Sequence, residues 1–233
     1  SLLIISGAFG LFKRSLVEEV GGYDTATVGE DMELVMRLHR HLRKTKVPYK
    51  ITFVPDPVCW TECPESLRTL RSQRRRWHRG LAEALWRHRA ASLDPRQGAF
   101  GLLGIPYFIA FEALGPIIEL LGYIVFPIGY FTGTIETTYV VAFLILAGAL
   151  GIALSVAALL LEEVTFRRYE RRRDVLKLFL YAVLENVGYR QLTSWWRVRA
   201  FVDVARRRRS WGEMQRKGFA SRPTVGPTRG PSS

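Results

Sequence analysis

From Thr137 to Leu161 the chain runs for 25 residues without a single charge. At ~1.5 Å of rise per residue, a helix of that length extends about 37 Å, enough to cross a ~30 Å hydrocarbon core with some tilt. A soluble core helix of this length would be expected to carry a charge where it met water, so the run predicts a transmembrane helix over 137–161. Residues 100–131 form a second apolar stretch, broken by Pro106, Pro116 and Pro127 and carrying Glu112 and Glu119. It predicts a second span over about 103–131, with its first part at the interface or bent before it enters the bilayer. Carboxylates at membrane depth face protein or a water-filled path. Glu112 and Glu119 are therefore expected to hydrogen-bond neighbouring helices, with a pathway role as the alternative.

Basic loops orient these spans. "FRRYERRR" at 166–173 directly follows the charge-free helix, and the excess of Lys and Arg on cytoplasmic loops puts that end in the cytoplasm. Two crossings then return residues 1–98 to the same side. The zone 175–204 is apolar but contains Glu185, Arg190, Arg197 and Arg199, and both its flanks are basic. An interfacial or re-entrant helix satisfies the charge rule better than one more crossing. Residues 206–233 are a basic, then Pro-, Gly- and Ser-rich tail, expected to be partly disordered and cytoplasmic. The net charge of +13 calls for anionic partners: nucleic acid, acidic lipid or a phosphorylated substrate. With 48% hydrophobic residues concentrated in the second half, a membrane protein with basic cytoplasmic surfaces fits better than a soluble nucleic-acid binder. The two cysteines of "CWTEC", Cys59 and Cys63, have no histidine or third cysteine near them, so reduced thiols are expected rather than a metal site.

Residues 1–98 read as α/β. "LLIISGAFG" resembles a buried strand and a Gly-rich turn rather than a signal peptide, as though the chain begins inside a domain. "RSLVEEVGG" is a short helix stopped by glycines. "GEDMELVMRLHRHLRK" places Leu34, Leu38 and Leu42 on one helical face, and "YKITFVPDPVCW" alternates like a strand. From Pro64 a further helix aligns Leu67, Leu70, Trp77, Leu81 and Leu85.

Two short stretches carry chemistry. Gly29, Glu30 and Asp31 stand at a helix start, where the helix dipole and free N–H groups favour an anionic carboxylate. That location suits a general base, although acids are common in any first helical turn. In "RSQRRRWHRG", Gln73 and Trp77 lie one turn apart with Arg76 beside them. Arginine and glutamine can hold a diphosphate by charge-assisted hydrogen bonds, and an indole offers a sugar ring a flat apolar platform. That pairing describes a transferase using nucleotide-sugars. Arg74 and Arg75 read as a solvated or headgroup-facing stripe.

"GED", "QRRRW" and then membrane helices, with "SGAFGLFKR", "EVGGYD", "VPDPVCWTECPESL" and "ENVGYRQL", resemble the processive, membrane-embedded family 2 glycosyltransferases. Cellulose, hyaluronan and poly-N-acetylglucosamine synthases are examples. The likeness covers roughly residues 1–217 and rests on the order of the motifs more than on any one. It implies the C-terminal half of an α/β GT-A glycosyltransferase domain over 1–98, then amphipathic interface helices and transmembrane α-helices over 99–205. It implies Asp31 as the general base with Glu30 beside it, Gln73 and Arg76 near the pyrophosphate, and Trp77 under the acceptor sugar. Ser6, Gly7 and Ala8 match the segment lining the acceptor site.

The implied reaction is inverting transfer from a UDP-sugar to a growing polysaccharide, exported across a bacterial inner membrane, with accessory export subunits as possible partners and no nucleic acid. The implied Mg2+ or Mn2+ would be held by a D-x-D motif upstream of residue 1. No metal ligand is therefore nominated here, and this stretch alone is expected to be inactive. The gating motif F-x-V-T-x-K is missing, which points away from cellulose and toward a poly-N-acetylglucosamine-like product. The alternatives are a non-processive transferase acting on a lipid carrier, and a basic membrane-anchored binding protein without catalysis.

Overall fold

The computed structural model describes residues 5, 7–54, 59, 61–166 and 171–206. Most of the expected opening strand, the end of the expected strand at 50–60, part of the basic loop at 166–173 and nearly all of the tail lie outside the described residues. Among the described residues every regular element is helical. Residues 47–54 run without regular structure, so the alternation in "YKITFV" does not become a strand there. A strand needs a neighbour to complete its hydrogen-bond ladder, and none of the described segments supplies one.

After α1 (Arg14–Glu19), α2 spans Glu30–Lys44, with Glu30, Asp31 and Glu33 in its first turn and His41, Arg43 and Lys44 in its last. Both ends thus complement the helix dipole. Its apolar stripe is buried as the periodicity predicts, with Leu34, Leu38 and Leu42 all inside. α3 spans Leu67–Arg87 and starts one residue after Ser66, whose hydroxyl accepts the Thr69 N–H at 3.2 Å. Ser66 is therefore the N-cap, so the helix begins three residues after the Pro64 start that the sequence suggests. Met32 and Met36 of α2 join Leu81, Ala84 and Leu85 of α3, together with Ala91, Phe100, Ile105 and Ala113, in one core.

Next comes a helical rod over Phe100–Phe131. Its first part is wound as π-helix at Phe100–Gly104 and Phe108–Ala113, on either side of a short α4 (Ile105–Tyr107); it ends in α5 (Gly115–Phe131). α6 spans Thr137–Phe166. Both rods are long and apolar enough to cross a membrane, and only 11% and 6% of their apolar windows are buried. Apolar faces this large and uncovered suit a bilayer rather than water.

The zone 175–204 is two helices rather than one, α7 (Arg172–Leu184) and α8 (Tyr189–Ala205). Gly188 between them has φ +81°, a left-handed conformation that ends a right-handed helix and reverses the chain. The turn rests against the middle of α6, where Ser155 Oγ donates to Glu185 at 2.7 Å and Asn186 crowds Gly151. From that tip α8 packs along α5 and α3, whereas α7 packs along α6.

Polar contacts hold the returning limb. Arg190 Nε donates to Glu119 at 2.7 Å and Ser194 Oγ donates to the other Glu119 oxygen at 3.0 Å. Arg197 reaches the Glu112 carboxylate at 3.1 Å. Both carboxylates of the first rod are thus hydrogen-bonded to a neighbouring helix. Truncating one member of such a pair leaves the other charge uncompensated.

His78 is the buried hinge of this packing. Its Nδ1 accepts from Arg197 Nε at 3.3 Å and its ring meets Phe201 edge-on at 5.0 Å. Burial, then the nearby Arg197 charge, lowers its pKa to about 4, against a slight opposing pull from the Ala113 backbone. The ring is therefore neutral in the fold, while the unfolded chain takes up a proton near pH 6.5. Stability is fully present above that pH and is lost as pH falls from 6.5 toward 4, by about 3 kcal/mol at the limit. Urea midpoints in detergent at pH 4.5 and 7 should show this loss in the wild type and a smaller one in His78→Gln. Equal losses in the two proteins would remove His78 as the source.

Candidate functional site

The loop entering α2 is pinned to α3 from several sides. Glu83 of α3 accepts the Thr27 hydroxyl at 3.2 Å and the Val28 N–H at 3.3 Å, and its other oxygen pairs with Arg79 at 2.7 Å. The Gly29 N–H donates to Thr27 Oγ1 at 3.3 Å. Asp24 caps its own turn through the Ala26 N–H at 2.8 Å and pairs with Arg87. That backbone hydrogen bond first, helped by Arg87 and opposed by burial, holds the Asp24 carboxyl below its usual range. Behind the loop, Glu33 is buried against His88 and Arg37. Burial alone would raise its pKa, yet the hydrogen bonds and charges of those two residues lower it.

At the centre of this seam two glycines touch. A Cβ on Gly80 would sit 2.8 Å from the Gly29 Cα, and one on Gly29 would meet the Gly80 Cα at the same distance. Only residues without side chains allow this approach. It fixes the start of "GED" against α3 one helical turn beyond Trp77. The two stretches singled out in the sequence, 42 residues apart from Asp31 to Gln73, thereby share one seam.

Glu30 and Asp31 are both half-buried there. Asp31 Oδ1 accepts the Met32 N–H at 2.7 Å. Its other oxygen faces Gly7, where an added Cβ would lie 2.6 Å away. The Gly7–Ala8 segment therefore passes directly over the carboxylate, and the Ala8 carbonyl accepts weakly from the Cys59 thiol at 3.7 Å. Ser6 lies outside the described residues. Cys59 and Cys63 are both exposed and free of disulfides.

On α3, Gln73 and Arg76 are half-buried and Trp77 keeps 54% of its surface exposed. Trp77 does not share the buried stripe expected with Leu81 and Leu85. The core-facing arc centres on His78, Leu81 and Leu85 and leaves the indole at its open edge. Arg74 and Arg75 depart further from expectation. The Arg75 guanidinium grips both oxygens of Asp203 on α8, at 2.7 and 2.5 Å. The Arg74 guanidinium lies 5.3 Å from the Trp77 ring centre, within cation–π range. These arginines are a helix clamp and a ring partner, not a solvated stripe.

Among the described residues no group of three or more His, Cys, Asp or Glu side chains could hold a metal ion. Glu30 and Asp31 alone do not make a ligand set for a divalent cation. What the seam does present is a carboxylate at a helix start, a glycine-lined strip above it and an exposed indole flanked by glutamine and arginine. That set can accept a proton, bind an anion and stack a ring.

The family model described as "Glycosyl transferase family group 2" matches residues 1–160. Among curated proteins, the poly-beta-1,6-N-acetyl-D-glucosamine synthase of Staphylococcus aureus (strain COL) is 43% identical over 83 residues, which cover 36% of this chain and 19% of that protein. The protein of the same name from Staphylococcus epidermidis is 32% identical over 113 residues, 48% of this chain and 24% of its own length. The matched stretches thus span no more than a quarter of these relatives. No solved structure matches the chain.

Proposed function

Because the chain belongs to glycosyl transferase family group 2, we propose that it carries the acceptor-side half of an inverting, processive transferase that uses a UDP-sugar. The observation that carries this reading is the Gly29–Gly80 contact, which sets Asp31 beside the helix of Gln73, Arg76 and Trp77. In the proposed step the acceptor hydroxyl oxygen attacks the anomeric carbon as Asp31 takes its proton. The bond from that carbon to the β-phosphate oxygen breaks, and UDP leaves with the electron pair. Attack opposite the leaving group inverts the anomeric centre. Gln73 and Arg76 hold the pyrophosphate by charge-assisted hydrogen bonds, stabilising the charge that builds on it. Trp77 supports the acceptor sugar, and Gly7 lies against the base where no side chain would fit.

The poly-N-acetylglucosamine synthase names of the relatives favour UDP-N-acetylglucosamine as donor and a polymer as product. The rods Phe100–Phe131 and Thr137–Phe166 would place the enzyme in a bacterial inner membrane, with the seam on the cytoplasmic side and the polymer leaving across the bilayer. The test is to supply the full-length protein, in membranes, with labelled UDP-N-acetylglucosamine and to size the product. Long chains are expected; single-sugar products would replace this reading with a non-processive one, and no transfer from any UDP-sugar would sink it. Trp77→Ala should lower elongation by about tenfold, the worth of a lost aromatic platform, while donor hydrolysis persists. Unchanged chain length in that variant would remove the sugar-platform role.

A further inference from the structure

Away from the seam, a cleft of about 870 Å³ opens between the C-terminal half of α2 and the short turn Pro95–Gln97. Arg40, Arg43, Lys44, Lys46 and Arg96 line it, and Asp94 is its one acid. The last turn of α2 alone would need no ligand to explain it, since cations there answer the helix dipole. Lys46 and Arg96 do not belong to that turn. Lys46 stands past the helix end with φ +55°, and Arg96 comes from a segment fifty residues on. Chain segments from separate parts of the sequence thus bring cations to one concave surface.

These charges are largely uncompensated. Arg37 pairs with Glu33, and the His41 ring hydrogen-bonds Glu19. Lys44, Lys46 and Arg96 have no ion pair or side-chain hydrogen bond among the described residues; Arg40 meets His88 Nδ1 at 3.1 Å, and the Arg43 guanidinium meets the Tyr49 hydroxyl and ring and packs against Gly98. Asp94 spends one carboxylate oxygen on the Arg96 backbone N–H at 3.0 Å. Like charges held together in a concavity repel one another unless an anion joins them.

The donors name the anion: several ammonium and guanidinium groups on one concave wall suit the acceptor oxygens of a phosphate. We propose that it binds a phosphate group, presented by an acidic phospholipid headgroup or by a soluble phosphate. This site rests on no part of the transfer chemistry.

The experiment titrates the full-length protein in neutral detergent with phosphatidylglycerol and with phosphatidylcholine, reading bound lipid by native mass spectrometry. A parallel calorimetric titration uses inorganic phosphate. Lys44→Gln, Lys46→Gln and Arg96→Gln are combined in one protein; these side chains are exposed and hold no partner in the fold. The matched control is Lys13→Gln, Lys50→Gln and Arg68→Gln, three exposed cations outside the cleft and away from the apolar rods. Phosphatidylglycerol should be preferred, and the cleft variant should lose at least about tenfold in affinity while the control loses little. Binding of inorganic phosphate that the cleft variant abolishes, with no preference between the lipids, would assign the same site to a soluble phosphate. Equal losses in both variants, or none in either, would overturn the site.

Discussion

Asp31→Asn is expected to reduce sugar transfer by the full-length protein by about a thousandfold, within the range set by removal of a positioned general base. The substitution is close to isosteric, and its carbonyl oxygen can still accept the Met32 N–H that Asp31 Oδ1 accepts at 2.7 Å. The helix start should therefore survive. Gly7 leaves the second atom of the side chain the space it has now. What disappears is the ability to take a proton from the acceptor hydroxyl. Donor affinity should stay within a few fold, because the pyrophosphate is assigned to Gln73 and Arg76. The measurement pairs turnover of a labelled UDP-sugar with donor binding at equilibrium. Near-normal turnover would exclude Asp31 as the base, whereas loss of donor binding would move its role to the nucleotide. Glu30→Gln should be much milder if the neighbouring acid is only a companion charge in the first turn.

How much of this could be seen in the sequence depends on the range of the interaction. The stripe of Leu34, Leu38 and Leu42 was legible because helix periodicity is local, and all three are buried. The charge-free run over 137–161 was legible for the same reason, and its helix extends to Phe166. Arg75 was misread because its partner, Asp203, lies 128 residues further along the chain. No local pattern separates an arginine bound for a distant carboxylate from one bound for water. Gly188 sat inside an apolar, helix-like stretch, and only its positive φ reveals a reversal there. The α/β reading of residues 1–98 rested on strand alternation, which also fits an extended segment without a partner.

The packing of α8 on α3 and α5 changes what the basic residues near the seam mean. Arg75, His78 and Arg197 tie α3 to α8, and Glu112 and Glu119 tie α8 to the first membrane rod. The helix carrying Gln73, Arg76 and Trp77 is thereby braced, through α8, against the first apolar rod. Rigid support of this kind is what a site needs when reacting atoms must be held within a fraction of an ångström.

The seam itself is more sensitive than either motif, and Gly80→Ala should expose that. The new Cβ would fall 2.8 Å from the Gly29 Cα and 2.9 Å from its nitrogen, so backbone must yield to backbone. No rotamer change relieves such a clash; α3 and the start of α2 must separate. Overpacking of this sort costs about 1–3 kcal/mol, read as a lower urea midpoint in detergent. Alanine would ordinarily favour a helix by about 1 kcal/mol over glycine, so a net loss would itself report the contact. Because the shift displaces Asp31 relative to Trp77 and Arg76, transfer should fall by about a hundredfold, the effect of a misplacement near 1 Å. Gly148→Ala on α6 is the control, since its Cβ would meet nothing within 4 Å. That variant should be as stable as the parent or more so, and as active. If Gly80→Ala kept both stability and transfer, the seam would not be what aligns the base with the sugar platform, and the functional reading would have to rest on the motifs alone.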